Sequence, residues 1–363
     1  MTISGACTTD KQPTHHMETT TNLNDTSLKG ATIMNKMTFK EHVDMYWKFF
    51  FEKGEKIPRE PLPQRQPDLT KLFQDGHNGV KSVWLGHSTL LISIDGYTIL
   101  TDPIFQRKVS PIGPTRFHPE LPLSIDDLDA VDVVIISHDH YDHLNKYSVQ
   151  QLRDKAGVFI VPTGVGTRLV KWGIPTEKIV ELNWWDEYRP TGELKIVATP
   201  AQHFSGRGLF DRNKTLWASW VIKTHEHRVF FSGDSGYFSG FKTIGDMFGP
   251  FDVTFLECGA YNPRWSNVHM FPEQTVLAFN DLGGKILQPI HMATFNLSLH
   301  SWYDPMERLI SKAWHQGARV STPIIGEVVN YEKQVAANLW WVPAMERSKQ
   351  QTDQHQLAAQ GNL

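Results

Sequence analysis

From about residue 78 the chain alternates short apolar runs with polar turns. The stretch "VKSVWLGHSTLLISIDGYTILTDPIF" (residues 80–105) reads as two or three strands, with Asp95-Gly96 marking a tight turn between two of them. "VDVVIIS" (131–137) is apolar on both faces, which predicts a buried strand ending immediately before His138. Further strands are expected at "KIVATP", "HRVFFSG" and "DVTFLECGA". Helical spacing appears between them, in "NKYSVQQLRDKA" and "PEQTVLAFNDLG". Strands alternating with helices predict a layered α/β domain.

The flanks behave differently. Residues 1–36 are rich in Thr, Asn, Ser and Gly without apolar periodicity, and read as a disordered tail. Residues 37–77 combine an aromatic helix with a Pro-rich connector. Thr38 and Glu41 have capping-box spacing, Gly54 stands where the helix would stop, and "IPREPLPQRQP" follows as extended chain. The helix carries Tyr46, Trp47, Phe49, Phe50 and Phe51, a cluster suited to packing on the domain, on a second copy in a homo-oligomer, or on a membrane surface. The α/β domain is placed at 78–343, and 344–363 is expected to be a polar C-terminal tail.

Charge and cysteines narrow the class. A formal net charge of −3 without any run of Lys or Arg gives no pull toward nucleic acid. Cys7 and Cys258 offer neither a disulfide framework nor a Cys-x-x-Cys zinc knuckle. No apolar run has the length of a membrane span, so the expected location is the cytoplasm, with peripheral membrane contact through the aromatic helix.

The chemistry concentrates in "ISHDHYDHL" (136–144), where His138, His140, Asp142 and His143 follow the form His-x-His-x-Asp-His. Side chains at i and i+2 beyond a strand end face the same way, so His138 and His140 could grip one ion while Asp142 and His143 turn to a neighbour. A merely solvated turn would need no distant partners, yet His203, Asp234 and His291 each follow a predicted strand, the place where open α/β sheets put their sites. Imidazole with carboxylate suits Zn2+, with iron or manganese as alternatives. Asp102 in "LTDP" and His87 in "GHST" are weaker candidates for support behind the ligands. Arg116 and Arg264 could pair with phosphate, and His225 and His227 are expected to be exposed in a hairpin turn. "GDSG" around Ser235 imitates a serine-protease nucleophile segment, but the α/β alternation contradicts that fold.

These residues resemble the metallo-β-lactamase fold superfamily, which implies a four-layered αββα sandwich. By that resemblance His138, His140 and His203 would hold a first ion, Asp142, His143 and His291 a second, and Asp234 would bridge two Zn2+. A narrower set of blocks, "WLGHSTLL", "LTDPIF", "GPTRF", "ISHDHYDHL", "LNWWDE", "FSGDSGY", "FGPFD", "GAYNPRW" and "IHMATF", is similar to the N-acylphosphatidylethanolamine-hydrolysing phospholipase D family across roughly residues 80 to 300. His269 matches that family's additional active-site histidine, whereas Phe271 stands where the family pattern has an acid.

The resemblance implies a zinc-dependent phosphodiesterase that releases N-acylethanolamine and phosphatidic acid from a phospholipid. Hydroxide formed at the metal would attack phosphorus. Asp142 and Asp234 would act as ligands and Asp234 also as proton acceptor, with His269 stabilising phosphate charge or assisting the leaving group. The alternatives are a metal-dependent hydrolase of a soluble ester, lactone or cyclic phosphodiester, and, less favoured, a non-enzymatic metal-binding docking protein.

Overall fold

The computed structural model describes residues 47, 55–73, 78–110, 113–118, 120–208, 210–333 and 335–360. Two sheets form its centre. In the first, β1 (Val80–Trp84), β2 (Leu90–Ile94), β3 (Tyr97–Thr101), β4 (Val131–Ile135), β5 (Ala156–Pro162) and β6 (Ile179–Leu182) lie side by side in chain order. The second sets β7 (Glu187–Thr191), β8 (Leu194–Thr199), β9 (Ser219–Lys223), β10 (Arg228–Phe231), β11 (Val253–Glu257) and β12 (Leu287–Ile290) side by side, again in chain order. A last strand, β13 (Val328–Asn330), pairs with β1 at the edge of the first sheet.

Most strands are apolar on both faces because both faces are covered. In β5, Val158 and Ile160 point into the space between the sheets while Phe159 and Val161 point outward. In β9 and β10, Trp220, Ile222, Val229 and Phe231 point inward and Val221 and Phe230 outward. The outward residues of the first sheet meet α1 (Leu69–Phe73), α2 (Lys146–Leu152) and α3 (Gly166–Lys171) through Leu72, Val149, Leu152 and Leu169. Those of the second meet α4 (Gly240–Phe248), α5 (Pro272–Asp281) and α6 (Asp304–Gln316) through Phe241, Val276, Phe279 and Leu309. The result is the αββα sandwich that the sequence resemblance implies.

Local signals set several boundaries. Asp95 (φ 47°) and Gly96 (φ 86°) make the left-handed hairpin turn between β2 and β3. Asn145 caps α2 by accepting the Ser148 N–H at 2.9 Å, and Gly317 ends α6 in left-handed backbone.

The flanks differ from expectation in one place. The segment expected as a polar tail begins as α7 (Val342–Gln360), and Ala344, Met345 and Ser348 of its first turns are buried beside Trp341. Trp341, Ala344, Met345 and Ser348 stand at i, i+3, i+4 and i+7, one helical face whose signal the Gln-rich sequence that follows outweighs. The expected aromatic helix lies outside the described residues except for Trp47, which is helical and exposed. The Pro-rich connector packs on the domain: Arg65 donates its backbone N–H to Ile325 O, and Leu62 is buried in the core.

Strand direction positions the site. β3, β4, β5 and β6 are parallel to one another, as are β10, β11 and β12. Parallel neighbours end at the same edge of a sheet, so the loops that follow them gather there.

Candidate metal centre

The loops at that edge bring the sequence-selected residues together. His138 Nε2 lies 2.8 Å from His140 Nδ1, and His203 Nε2 lies 3.3 Å from the same atom. Nitrogens each about 2.0–2.1 Å from a tetrahedral ion would be roughly 3.3 Å apart, so this spacing suits one ion. A second group surrounds Asp142 Oδ2, with His143 Nε2 at 3.4 Å and His291 Nε2 at 3.5 Å. Asp234 stands between the groups. Its Oδ2 is 3.8 Å from both His138 and His203 and 3.1 Å from His143, and its Oδ1 is 3.1 Å from His291.

The donors fit a cation on their own chemistry. Although Asp234 lies 3.1 Å from both rings, the buried His143 Nε2, His291 Nε2 and Asp234 Oδ1 make no aligned hydrogen bond among the described residues, an arrangement that is costly unless a cation satisfies them. Burial holds His138 and His203 well below the usual imidazole range and His140 down to about 4, so these rings are neutral with lone pairs to offer. At the second group burial opposes protonation, yet Asp234, Asp142 and Asp102 together raise His143 well above its ordinary value. His291 behaves likewise: burial lowers it, while Asp234 and Asp142 lift it to about 10. Such carboxylates call for positive charge at this point, which a metal ion supplies without a proton. Among the described residues, every group of side chains able to hold an ion falls in this cluster.

Behind the ligands lies a buried support. Asp102, at the end of β3, accepts from Ser137 N (2.7 Å) and Ser137 Oγ (2.6 Å) and stands 2.7 Å from His143 Nδ1. Ser137 Oγ is also 2.9 Å from His138 Nδ1. These contacts fix the ring orientations and leave Nε2 of both histidines for the centre. His203 is held the same way, with Nδ1 2.9 Å from Val268 O. His87 Nε2 reaches Asp142 Oδ2 at 3.0 Å.

Some residues turn elsewhere. Asp139, the remaining acid of the crowded motif, faces away and binds Arg168 and the Gly206 N–H. Arg116 is buried and donates to Leu85 O and Ile104 O, so it buttresses the β1–β2 turn. His225 is exposed as expected, but His227 is not: it lies 2.8 Å from Asp95 Oδ1, because the two hairpin turns meet. Ser235 Oγ is buried, accepting from Gln202 N and donating to Gly236 O.

Sequence reasoning missed Ser137 and Glu257. Glu257, at the end of β11, is wholly buried. It accepts the Met270 N–H at 2.7 Å and lies 3.4 Å from His269 Nδ1, and burial raises its carboxyl above the usual range. The only available signal was an acid ending the apolar run "VTFLE". His269 lines a cavity of about 230 Å³ over the cluster, whose walls include Phe204, Trp265, Val268 and Leu297.

Residues 97–292 match the beta-lactamase superfamily domain. The chain belongs to that superfamily. Its metallo-β-lactamase fold and buried His/Asp cluster are those of a metal-dependent hydrolase. It is 41% identical over 302 residues to an uncharacterized protein of Mycobacterium tuberculosis, covering 81% of this chain and 80% of that one. It is 33% identical over 247 residues to N-acyl-phosphatidylethanolamine-hydrolyzing phospholipase D 1 of Caenorhabditis elegans, covering 64% of this chain and 69% of that one. A metallo hydrolase of the archaeon Ignicoccus hospitalis shares the fold, with a TM-score of 0.56 and 24% identity over 70% of this chain and 99% of the other. Among the described residues no helix is long and apolar enough to cross a membrane.

Proposed function

We propose that the protein is a dinuclear zinc phosphodiesterase of phospholipase D type, cleaving N-acylphosphatidylethanolamine to N-acylethanolamine and phosphatidic acid. The observation that carries the reading is Asp234, one carboxylate set between two groups of ligating side chains. His138, His140 and His203 would hold one ion and Asp142, His143 and His291 the other, with Asp234 shared. Such a pair supplies Lewis acidity toward phosphoryl oxygen and makes water a nucleophile near neutral pH.

The chain's own groups do the rest. Burial raises the Asp234 carboxyl but His143 and His291 hold it well below the usual range, so Asp234 orients the attacking water as a hydrogen-bond acceptor. Glu257 accepts from His269 Nδ1, which leaves Nε2 for the cavity, where it can hold a proton against the departing alkoxide. Phe204, Trp265, Val268 and Leu297 exclude bulk water from the wall. A cavity of about 230 Å³ is smaller than usual ligand pockets, which supports a headgroup inside with acyl chains outside. The similarity to the nematode phospholipase supports the lipid over other diesters.

The same small cavity favours one second reading, a soluble ester, lactone or cyclic diester. The test is lipid mass spectrometry of zinc-loaded protein incubated with N-acylphosphatidylethanolamine in mixed micelles, beside a soluble diester and ester. Release of both lipid products by the parent and not by Asp234→Asn is expected. Turnover of the soluble compounds alone would replace the lipid by the second reading, and metal content by mass spectrometry reports one ion or two.

A further inference from the structure

The tight turn between β1 and β2 contains Gly86 (φ 93°) and then His87 (φ 54°), a left-handed backbone that glycine or asparagine would adopt at less cost. His291 (φ 62°), just past β12 on the other sheet, shares that backbone region. The two are joined: His291 donates its backbone N–H to His87 O at 3.0 Å, and their rings lie 4.0 Å apart. Trp84 Nε1 donates to the same carbonyl at 2.9 Å, and the His87 N–H donates to Thr294 Oγ1 at 2.6 Å. The turn is therefore fixed on three sides before its side chain is considered.

That side chain is buried, packs edge-on to Phe295, and sends Nε2 to Asp142 Oδ2 at 3.0 Å. Asp142 Oδ2 is also the oxygen that faces His143 and His291. A residue kept only for the turn would not need an imidazole aimed at a carboxylate of the cluster.

We propose that His87 is a positioning residue for the second ion: its carbonyl sets His291, and its Nε2–H holds Asp142 in the orientation that ligation requires. The inference rests on the two-ion reading above. Support of this kind is worth about 10–100-fold in metal affinity.

The test is stepwise Co2+ binding to the full-length, metal-free protein against a competing chelator, followed by visible absorption, with thermal unfolding of each metal-free variant as a control of folding. Asparagine tolerates the left-handed backbone, but its amide stops near the position of the imidazole Nδ1. The glutamine amide reaches that of Nε2. In His87→Asn the second binding step weakens by about 10–100-fold while the first changes by less than about two-fold. His87→Gln recovers most of the second step. An unchanged second step in His87→Asn overturns the proposal. Loss of the second ion in both variants also overturns it, because His87 would then be a ligand itself. A parent that takes up one Co2+ removes the two-ion reading and this inference with it, a result the parent alone reveals without any lipid assay.

Discussion

Between the sheets, Val133, Ile135, Ile160, Trp220, Phe231 and Phe255 sit on regular strands and are fully buried. A few residues further along, at the common edge, His87, Asp102 and His291 adopt left-handed backbone and the loops bury Asp102 and Asp234 among histidines. The interior satisfies every local rule at once: extended backbone, alternating faces, apolar contact. The edge breaks them, with strained backbone costing on the order of 1–3 kcal/mol per residue and buried charge that stands only when paired. The contrast teaches that the regular core carries the stability which holds the edge in its costly arrangement.

Breaking the edge is expected to have the largest effect. Asp234→Asn removes the charge shared by both groups, and turnover should fall by at least about 10³-fold, roughly 4 kcal/mol of barrier. Thermal unfolding of the metal-free form should also come earlier, because without metal Asp234 is the buried counter-charge of His143 and His291. An unchanged unfolding temperature would show that these rings need no counter-charge in the metal-free protein.

Breaking the interior should do the opposite. Phe255→Ala, between the sheets, should cost about 3–5 kcal/mol in urea unfolding at unchanged turnover per folded molecule. A large loss of specific activity at that position would mean that core and edge are less separable than the contacts imply.

His118 is a buried titratable group that belongs to neither region's pattern. Burial, with the Arg116 charge, lowers its pKa to about 4, against about 6.5 in an unfolded chain. Because the folded value is depressed, the unfolded state binds more protons between these pH values. Stability is intact above about pH 6.5, declines as the pH falls toward about 4, and levels off below; the whole difference is about 3 kcal/mol. Denaturant unfolding of His118→Gln at pH 7 and pH 4 should show a shallower acid loss than the parent, and equal slopes would remove His118 as a cause.

The smallest effect belongs to the helix behind the motif. Asn145→Ala deprives Ser148 N of its acceptor and should cost about 1 kcal/mol in thermal or urea unfolding. Turnover should change by less than about ten-fold, since His143 is held from Asp102 rather than from the helix.

Much of the molecule was legible along the chain. Two-sided apolar runs announce covered strands, Asp95-Gly96 announces a hairpin, and His138, His140, Asp142 and His143 announce a candidate metal-binding group through local spacing alone. These signals are short-ranged, so one segment suffices to read them. What the tertiary structure decided is which distant segments meet. Asp139 sits inside the motif yet turns to Arg168, and Glu257 ends an ordinary strand yet holds His269. His87 comes from one sheet to reach the backbone of His291 on the other, and His227 leaves solvent because a second turn carries Asp95 to it. Each of these depends on strand order and on how two sheets close against each other, and the free energy that sets those comes from the whole core rather than from neighbours in sequence.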